Sequence, residues 1–198
     1  VIRHLRAISG FDGLSLASDL IEATSDTGVF MSMSSVMKRA AMKLSKICND
    51  LRLLSSGPQA GFAEIVLPPV QAGSSIMPGK VNPVIPECVM QVAMKVIAND
   101  GAITAAAAHG EFELNAFLPL IADALLESLS LLTRAVTLLK TKCVELIEPD
   151  RDRCLQLLDH SLAFATAHTT VLGYDEVSRI IEEHGGDPEK IKDALENK

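Results

Sequence analysis

Tryptophan is absent, tyrosine occurs once, and aromatic residues fill only 4% of the 198 positions. Strands draw on aromatic and β-branched side chains to cover a pleated face, so this shortage argues against a sheet-based core. Apolar residues still reach 48%, supplied by Ala, Leu, Ile, Val and Met, a composition suited to closely packed helices. Basic residues are outnumbered by acidic ones, 18 to 25, for a net charge of −7. That balance argues against nucleic acid or an anionic lipid surface as the main partner. No run approaches the roughly 18 uninterrupted apolar residues of a membrane span, and no signal-peptide pattern precedes the first helical segment. The four cysteines, Cys48, Cys88, Cys143 and Cys154, contain no CxxC pair. Each falls on an expected helix and reads as a buried, reduced thiol, with a cytoplasmic setting as the default. His4, His109, His160, His168 and His184 lack metal-ligand spacing, so neither a metal nor a cofactor is expected.

What the chain does have is helical periodicity. Residues 1–9 read as a helix stopped by Gly10, and a second signal covers residues 17–23, with Ser25, Asp26 and Thr27 as caps for the next helix. Phe30, Met33, Met37, Ala40, Leu44, Ile47, Leu51 and Leu54 then recur at alternating spacings of three and four. This is a heptad seam over about seven turns. Val29, Val36, Ala41 and Cys48 add an apolar flank, more than one partner helix covers. Gly57-Pro58 ends the segment, as such residues do beyond a last turn. A long Gly- and Pro-rich connection spans residues 58–83, with Ile65, Val66, Leu67 and Val70 expected to tack it to the bundle. A second long helix is expected over residues 83–108, with Ile85, Val89, Val92, Val96 and Ile103 on one side. A third keeps three-and-four spacing through Leu118, Ile121, Leu125, Leu129, Leu132, Val136, Leu139, Cys143 and Leu146. Beyond Pro149-Asp150 come shorter helices around 151–168, 175–184 and 187–196, with Arg151, Asp152 and Arg153 as a solvated start. The expected fold is all-α: a long-helix bundle over residues 1–148, then a small helical C-terminal subdomain over 149–198. Three slim rods close a core poorly alone, so assembly with further copies is expected.

The polar punctuation of the connection is concentrated in Gly73-Ser74-Ser75-Ile76-Met77-Pro78-Gly79-Lys80-Val81-Asn82-Pro83. Two adjacent hydroxyls, an ammonium and a carboxamide stand between stiff apolar supports. A plain surface turn is the alternative reading of these residue types. Asn82 is a good N-cap, and proline is favoured at the first helical position. The positive end of the next helix therefore points at this loop. With Lys80 and two hydroxyls nearby, such a terminus suits an anion, most simply a carboxylate or phosphate.

The run GSSIMPGKVNP matches the signature of the fumarase/aspartase superfamily. Residues 45–58 resemble that family's central helix and its end, Gly110-Glu111-Phe112-Glu113-Leu114-Asn115 a second segment, and Gly173-Tyr174 a C-terminal one. An eleven-residue match with supporting segments in order is specific. His168-Thr169-Thr170 departs from the Leu-Asn-Pro common in relatives. Lys80-Val81-Asn82 points to the aspartase and fumarase branches. Val84-Ile85-Pro86-Glu87 and Leu53-Leu54-Ser55-Ser56 resemble the ammonia-lyase branch, whereas Glu111 to Asn115 and Ile147-Glu148-Pro149 resemble class II fumarate hydratase. Residues abutting the loop weigh most, so the ammonia-lyase reading is preferred. The hydratase stands as the alternative, and a non-catalytic helical assembly module as a second.

The resemblance implies a reversible elimination of ammonia from L-aspartate to give fumarate. Ser74 is then the general base, activated by its surroundings because an alcohol is a poor base in water. Ser75, Lys80, Val81 (through its backbone) and Asn82 would contact substrate. Glu87 would orient a histidine from another segment. No such histidine and no Thr/Ser/Asn-rich substrate segment is evident here. The chain therefore reads as roughly the C-terminal half of such an enzyme, inactive by itself. Homotetramers with each site shared among three subunits are implied.

Overall fold

The structure, a computed structural model, describes residues 1–71, 73, 76–77 and 79–197. Its contacts divide the chain into two units, one of Val1–Asp50 and Val70–Glu145, the other of Leu51–Pro69 and Leu146–Lys198.

The first unit is built on three long helices. Ahead of them, α1 (Ile2–Ser9) stops at Gly10, whose amide bonds to the Arg6 carbonyl and whose positive φ of 67° turns the chain out of the helix. The helix expected over residues 17–23 is reduced to a single turn, α2 (Glu22–Ser25). Asp19 is the cause: its Oδ1 accepts from the amides of Ile21 and Glu22 at 2.8 and 3.1 Å. This local bonding competes with an earlier helical start. Asp26 accepts from the Gly28 amide at 3.0 Å and leads into α3 (Gly28–Leu54). The other two rods are α4 (Val84–Ala108) and α5 (Leu118–Lys142). At 25 to 27 residues, each is about 40 Å long.

The buried faces are displaced from the expected seams. On α3 they are Ser34, Met37, Ala41 and Cys48, a line between the seam and its flank. Phe30, Met33, Ile47, Val29 and Val36 stay exposed. On α5 the buried residues are Ile121, Ala124, Ser128, Ala135 and Leu139, while Leu129 and Val136 remain nearly half exposed. The physical reason is helix proximity. Small residues let α4 and α5 approach closely, with Ala106 and Ala124 meeting around Ile103 and Ile121. Met37 and Ala41 meet Ala93 and Val96 in the same way between α3 and α4. The larger side chains then line the outside of the packed rods. Val89, Val96 and Ile103 of α4 are buried; Ile85 and Val92 are half-buried.

A polar layer interrupts this core. Asp100 is 5% exposed and Asn99 6%, adjacent on α4. Asp100 accepts from Ser34 at 2.7 Å and from Lys38 at 2.5 Å, both on α3. Asn99 donates toward α5, to Glu127 Oε2 at 2.8 Å and Ser128 Oγ at 3.0 Å. Lys95 pairs with the same Glu127 carboxylate at 3.1 Å.

In the second unit, Asp150 caps α6 (Arg151–Asp159) by accepting from the Arg153 amide at 2.9 Å. The Asp150 amide in turn donates to the Glu64 carbonyl. Arg153, expected in solvent, instead donates to the carbonyls of Phe62 and Gly61 at 3.0 and 3.1 Å, pinning the connection. That connection forms β1 (Ile65–Val66), antiparallel to β2 (Glu148–Pro149), with Ile65 opposite Pro149. Of its four apolar anchors only Leu67 is buried; Val66 and Val70 are exposed. The helix expected over 151–168 breaks after α6, where Ser161 Oγ accepts from the Ala163 amide and opens α7 (Ala163–Leu172). With α8 (Tyr174–Glu183) and α9 (Pro188–Glu196), α7 buries Ala165, Val177, Ile180, Ile191 and Leu195. Asp187 caps α9, as its Asp-Pro start requires.

Burial opposes ionisation of Asp100, but hydrogen bonds from Lys38 and Ser34 and the Lys38 charge overcome it and hold the carboxyl below its ordinary range. Its folded pKa is thus depressed, so its contribution is complete above the ordinary aspartate pKa and is lost as pH falls through the folded value. Asp100→Asn is expected to cost about 2 kcal/mol at neutral pH, from the weakened charge-assisted bonds. Urea titrations of both proteins should find the gap closing in acid.

Candidate functional site

The signature loop leads into α4, and the start of that helix decides how its residues are used. Pro83, not Asn82, occupies the N-cap position, and no side-chain cap bond forms there. Asn82 points its carboxamide the other way: Nδ2 donates to the Gly73 carbonyl at 2.6 Å. A carbonyl can only accept, so the NH2 end of Asn82 must face it. The expected capping role, worth about 1 kcal/mol to a helix, is forgone. The Asn82 carbonyl instead accepts from the Val84 amide at 2.9 Å. Pro83 and Pro86 carry no amide hydrogen, and the Glu87 amide bonds to the Pro83 carbonyl at 3.1 Å. The helix start therefore presents fewer donors to an anion than its dipole alone would suggest.

Gly73 is half-buried and packs so tightly on the Lys80 carbonyl that a Cβ built there would overlap the oxygen. Lys80 and Val81 are exposed, and Asn82 and Glu87 are half-buried. The Lys80 amide reaches the Met77 carbonyl at 3.4 Å, and Gly79 between them has φ of 76°. Ser74 and Ser75 lie outside the described residues. Of the other sequence-derived candidates, Lys80, Val81 and Asn82 lie together where the loop meets α4. Glu87 stands one turn further on, inside the helix.

Glu87 faces a groove of about 440 Å³ between α4 and α5, lined also by Val84, Cys88, Gln91, Lys95 and Leu131. The α4 edge of this groove carries the polar groups. Gln91 Nε2 bonds to the Glu87 carbonyl at 3.4 Å. Hydrogen bonds from Asn99 and then Lys95 hold the Glu127 carboxyl below its ordinary range.

Several polar residues to which neither the periodicity nor the signature assigns a role build this region. Asn99 and Asp100 interrupt an otherwise apolar helix between Val96 and Ile103, a pattern that signals a buried polar layer. Asn115, only 2% exposed, donates to the Ala106 carbonyl at 3.1 Å and accepts from the Phe117 amide at 2.9 Å. Its own amide reaches Thr24, so it locks the α4–α5 corner. Two cysteines also depart from expectation: Cys48 and Cys143 are buried, but Cys88 and Cys154 are exposed. Among the described residues, no group of three or more His, Cys, Asp or Glu could hold a metal ion. None of the described helices is long and apolar enough to cross a membrane.

A family model described as "Lyase" matches residues 1–98. The chain is 54% identical over 179 residues to an aspartate ammonia-lyase of Pseudomonas aeruginosa, covering 90% of this chain and 38% of that protein. It thus spans little more than a third of that relative's length. Among solved structures, a fumarate lyase:delta crystallin from Brucella melitensis superposes with a TM-score of 0.86 at 48% identity, over 96% of this chain and 45% of the other. A class II fumarase from Schistosoma mansoni gives 0.83 at 30% identity, over 98% and 42%.

Burial, and then the neighbouring Cys143, pushes the Cys48 thiol up to about 11, and burial raises Cys143 as well. The thiolate is the reactive form. Titration with an aromatic disulfide at pH 8 should therefore modify Cys88, at the groove, and Cys154. Cys48 and Cys143 should react only after unfolding in urea.

Proposed function

This chain belongs to the fumarase/aspartase superfamily, and on that footing we propose that the protein it is part of is an aspartate ammonia-lyase. The observation that carries the reading is the 54% identity to an ammonia-lyase against 30% to a class II fumarase. The reaction is the reversible elimination of ammonia from L-aspartate. A base takes a proton from the carbon beside one carboxylate, the charge spreads into that carboxylate, and ammonia leaves from the neighbouring carbon.

The obstacle is the carbanion, so donors must be aimed at the oxygens where its charge develops. In this reading Ser74 is the general base, and Ser75, Lys80, the Val81 backbone and Asn82 hold the substrate. The exposed Lys80 supplies positive charge beside the α4 start. Glu87, in the wall of the groove, orients a histidine brought by a segment outside this chain. The groove and the exposed apolar residues of α3 and α5 support a homo-oligomer, a tetramer with shared sites. Exposed free thiols at Cys88 and Cys154 suit a reducing, cytoplasmic setting. No metal or cofactor enters the reaction as proposed.

Full-length protein should release fumarate, read by its ultraviolet absorbance, from L-aspartate but not from L-malate. Reaction with malate alone moves the assignment to fumarate hydratase. Reaction with neither leaves a helical assembly module. Ser74→Ala should lower kcat by about 10²- to 10⁴-fold, the usual contribution of a positioned base. The 198-residue chain alone should form no fumarate, and turnover at the full-length rate would refute a shared site.

A further inference from the structure

We infer that Asn82 is a positioning residue: together with Gly73 it closes the neck of the signature loop before any substrate is bound. The inference rests on the lyase reading for its catalytic consequence, but the neck itself is a property of the free chain.

Two contacts of different kinds meet at one point. The Asn82 carboxamide donates to the Gly73 carbonyl across nine residues, at 2.6 Å and partly buried. The Gly73 α-carbon presses on the Lys80 carbonyl, leaving no room for a side chain. One contact is polar and comes from residue 82; the other is steric and comes from residue 80. Either alone could be an incidental turn contact, but both join the same glycine to the same three-residue exit. Closing a loop costs chain entropy, and here a part-buried hydrogen bond works against that cost. Asn82 makes this bond in place of the helix cap that its position offers.

The neck has a chemical consequence. Lys80 stands six positions beyond Ser74, which in an extended chain would be about 20 Å. With Gly73 seated on Lys80, the residue that carries Ser74 and the residue that carries the ammonium start from the same place. The neck thus fixes the residue before the proposed base against the residue that bears the positive charge. Glycine is required at 73 because any Cβ would part the two strands of the neck. Asn is required at 82 because aspartate, of the same size, has no hydrogen to offer the carbonyl.

A residue that only touches substrate would leave the empty loop unchanged when replaced. A neck residue would not. Hydrogen exchange of the loop peptide, residues 73–82, should therefore be measured in substrate-free, full-length protein carrying Asn82→Asp, Asn82→Ala or Gly73→Ala. Each variant should exchange at least 10-fold faster there than the unaltered protein, with α4 and α5 peptides unchanged. Combining Gly73→Ala with Asn82→Ala should add nothing further, since either opens the same neck. In the aspartate assay kcat should fall by a larger factor than KM rises. Unchanged loop exchange in both Asn82 variants overturns the inference, whatever happens to kcat. Should Gly73→Ala fail to fold by circular dichroism, the Asn82 variants decide alone. If the unaltered protein acts on neither aspartate nor malate, the lyase reading falls while the exchange comparison still tests the neck.

Discussion

Asn99 and Asp100 sit side by side on α4 and reach in different directions, one to Glu127 and Ser128 of α5, the other to Ser34 and Lys38 of α3. Apolar side chains along a helix are tolerant of sliding, because one methyl contact resembles the next. Directional bonds between charged and polar groups in a dry interior are not, and a misaligned layer would leave them unpaired. This layer therefore sets the register of three rods that leucine and alanine alone would leave loose. The start of α4 lies four turns along the same rod.

From that fixed point the loop is shaped by competition for hydrogen-bond partners. The α4 start offers Asn82 a capping position, and the Gly73 carbonyl offers it a different bond. The carbonyl wins, and α4 begins with a proline that has no side-chain group to give. The helix loses a cap and the loop gains a neck. A similar exchange occurs at Asp19, which binds the amides of Ile21 and Glu22 and shortens α2 to one turn. Arg153 obeys the same logic in the other unit, where carbonyls of the connection hold a side chain that could have stayed in water.

The small residues explain the outward turn of the large ones. Ala93, Ala106, Ala124 and Ala135 are buried where the rods pack, and Ser128 joins them. Large side chains there would hold the axes apart and stretch the polar layer. Phe30, Met33, Leu129 and Val136 are left on the surface of the single chain. An apolar periphery of this kind is in keeping with the homo-oligomer proposed above.

Much of this was legible in the residues themselves. Three-and-four spacing placed α3, α4 and α5 within a few residues of their observed ends, because helical geometry is local and repeats in the pattern. Gly10, Asp150 and Asp187 marked their boundaries for the same reason: a stop or a cap involves only near neighbours. The signature run was recognisable as a unit, since its chemistry is written in consecutive positions. Which stripe of α3 is buried was not legible, because several stripes were apolar enough and only the approach of α4 selects one. Nor was the bond from Asn82 to Gly73, since a carboxamide chooses between a helix end and a distant carbonyl by their positions in space. Local pattern determined the rods; the tertiary structure decided their faces and the use of their polar side chains, because packing distance and hydrogen-bond geometry exist only once the segments meet.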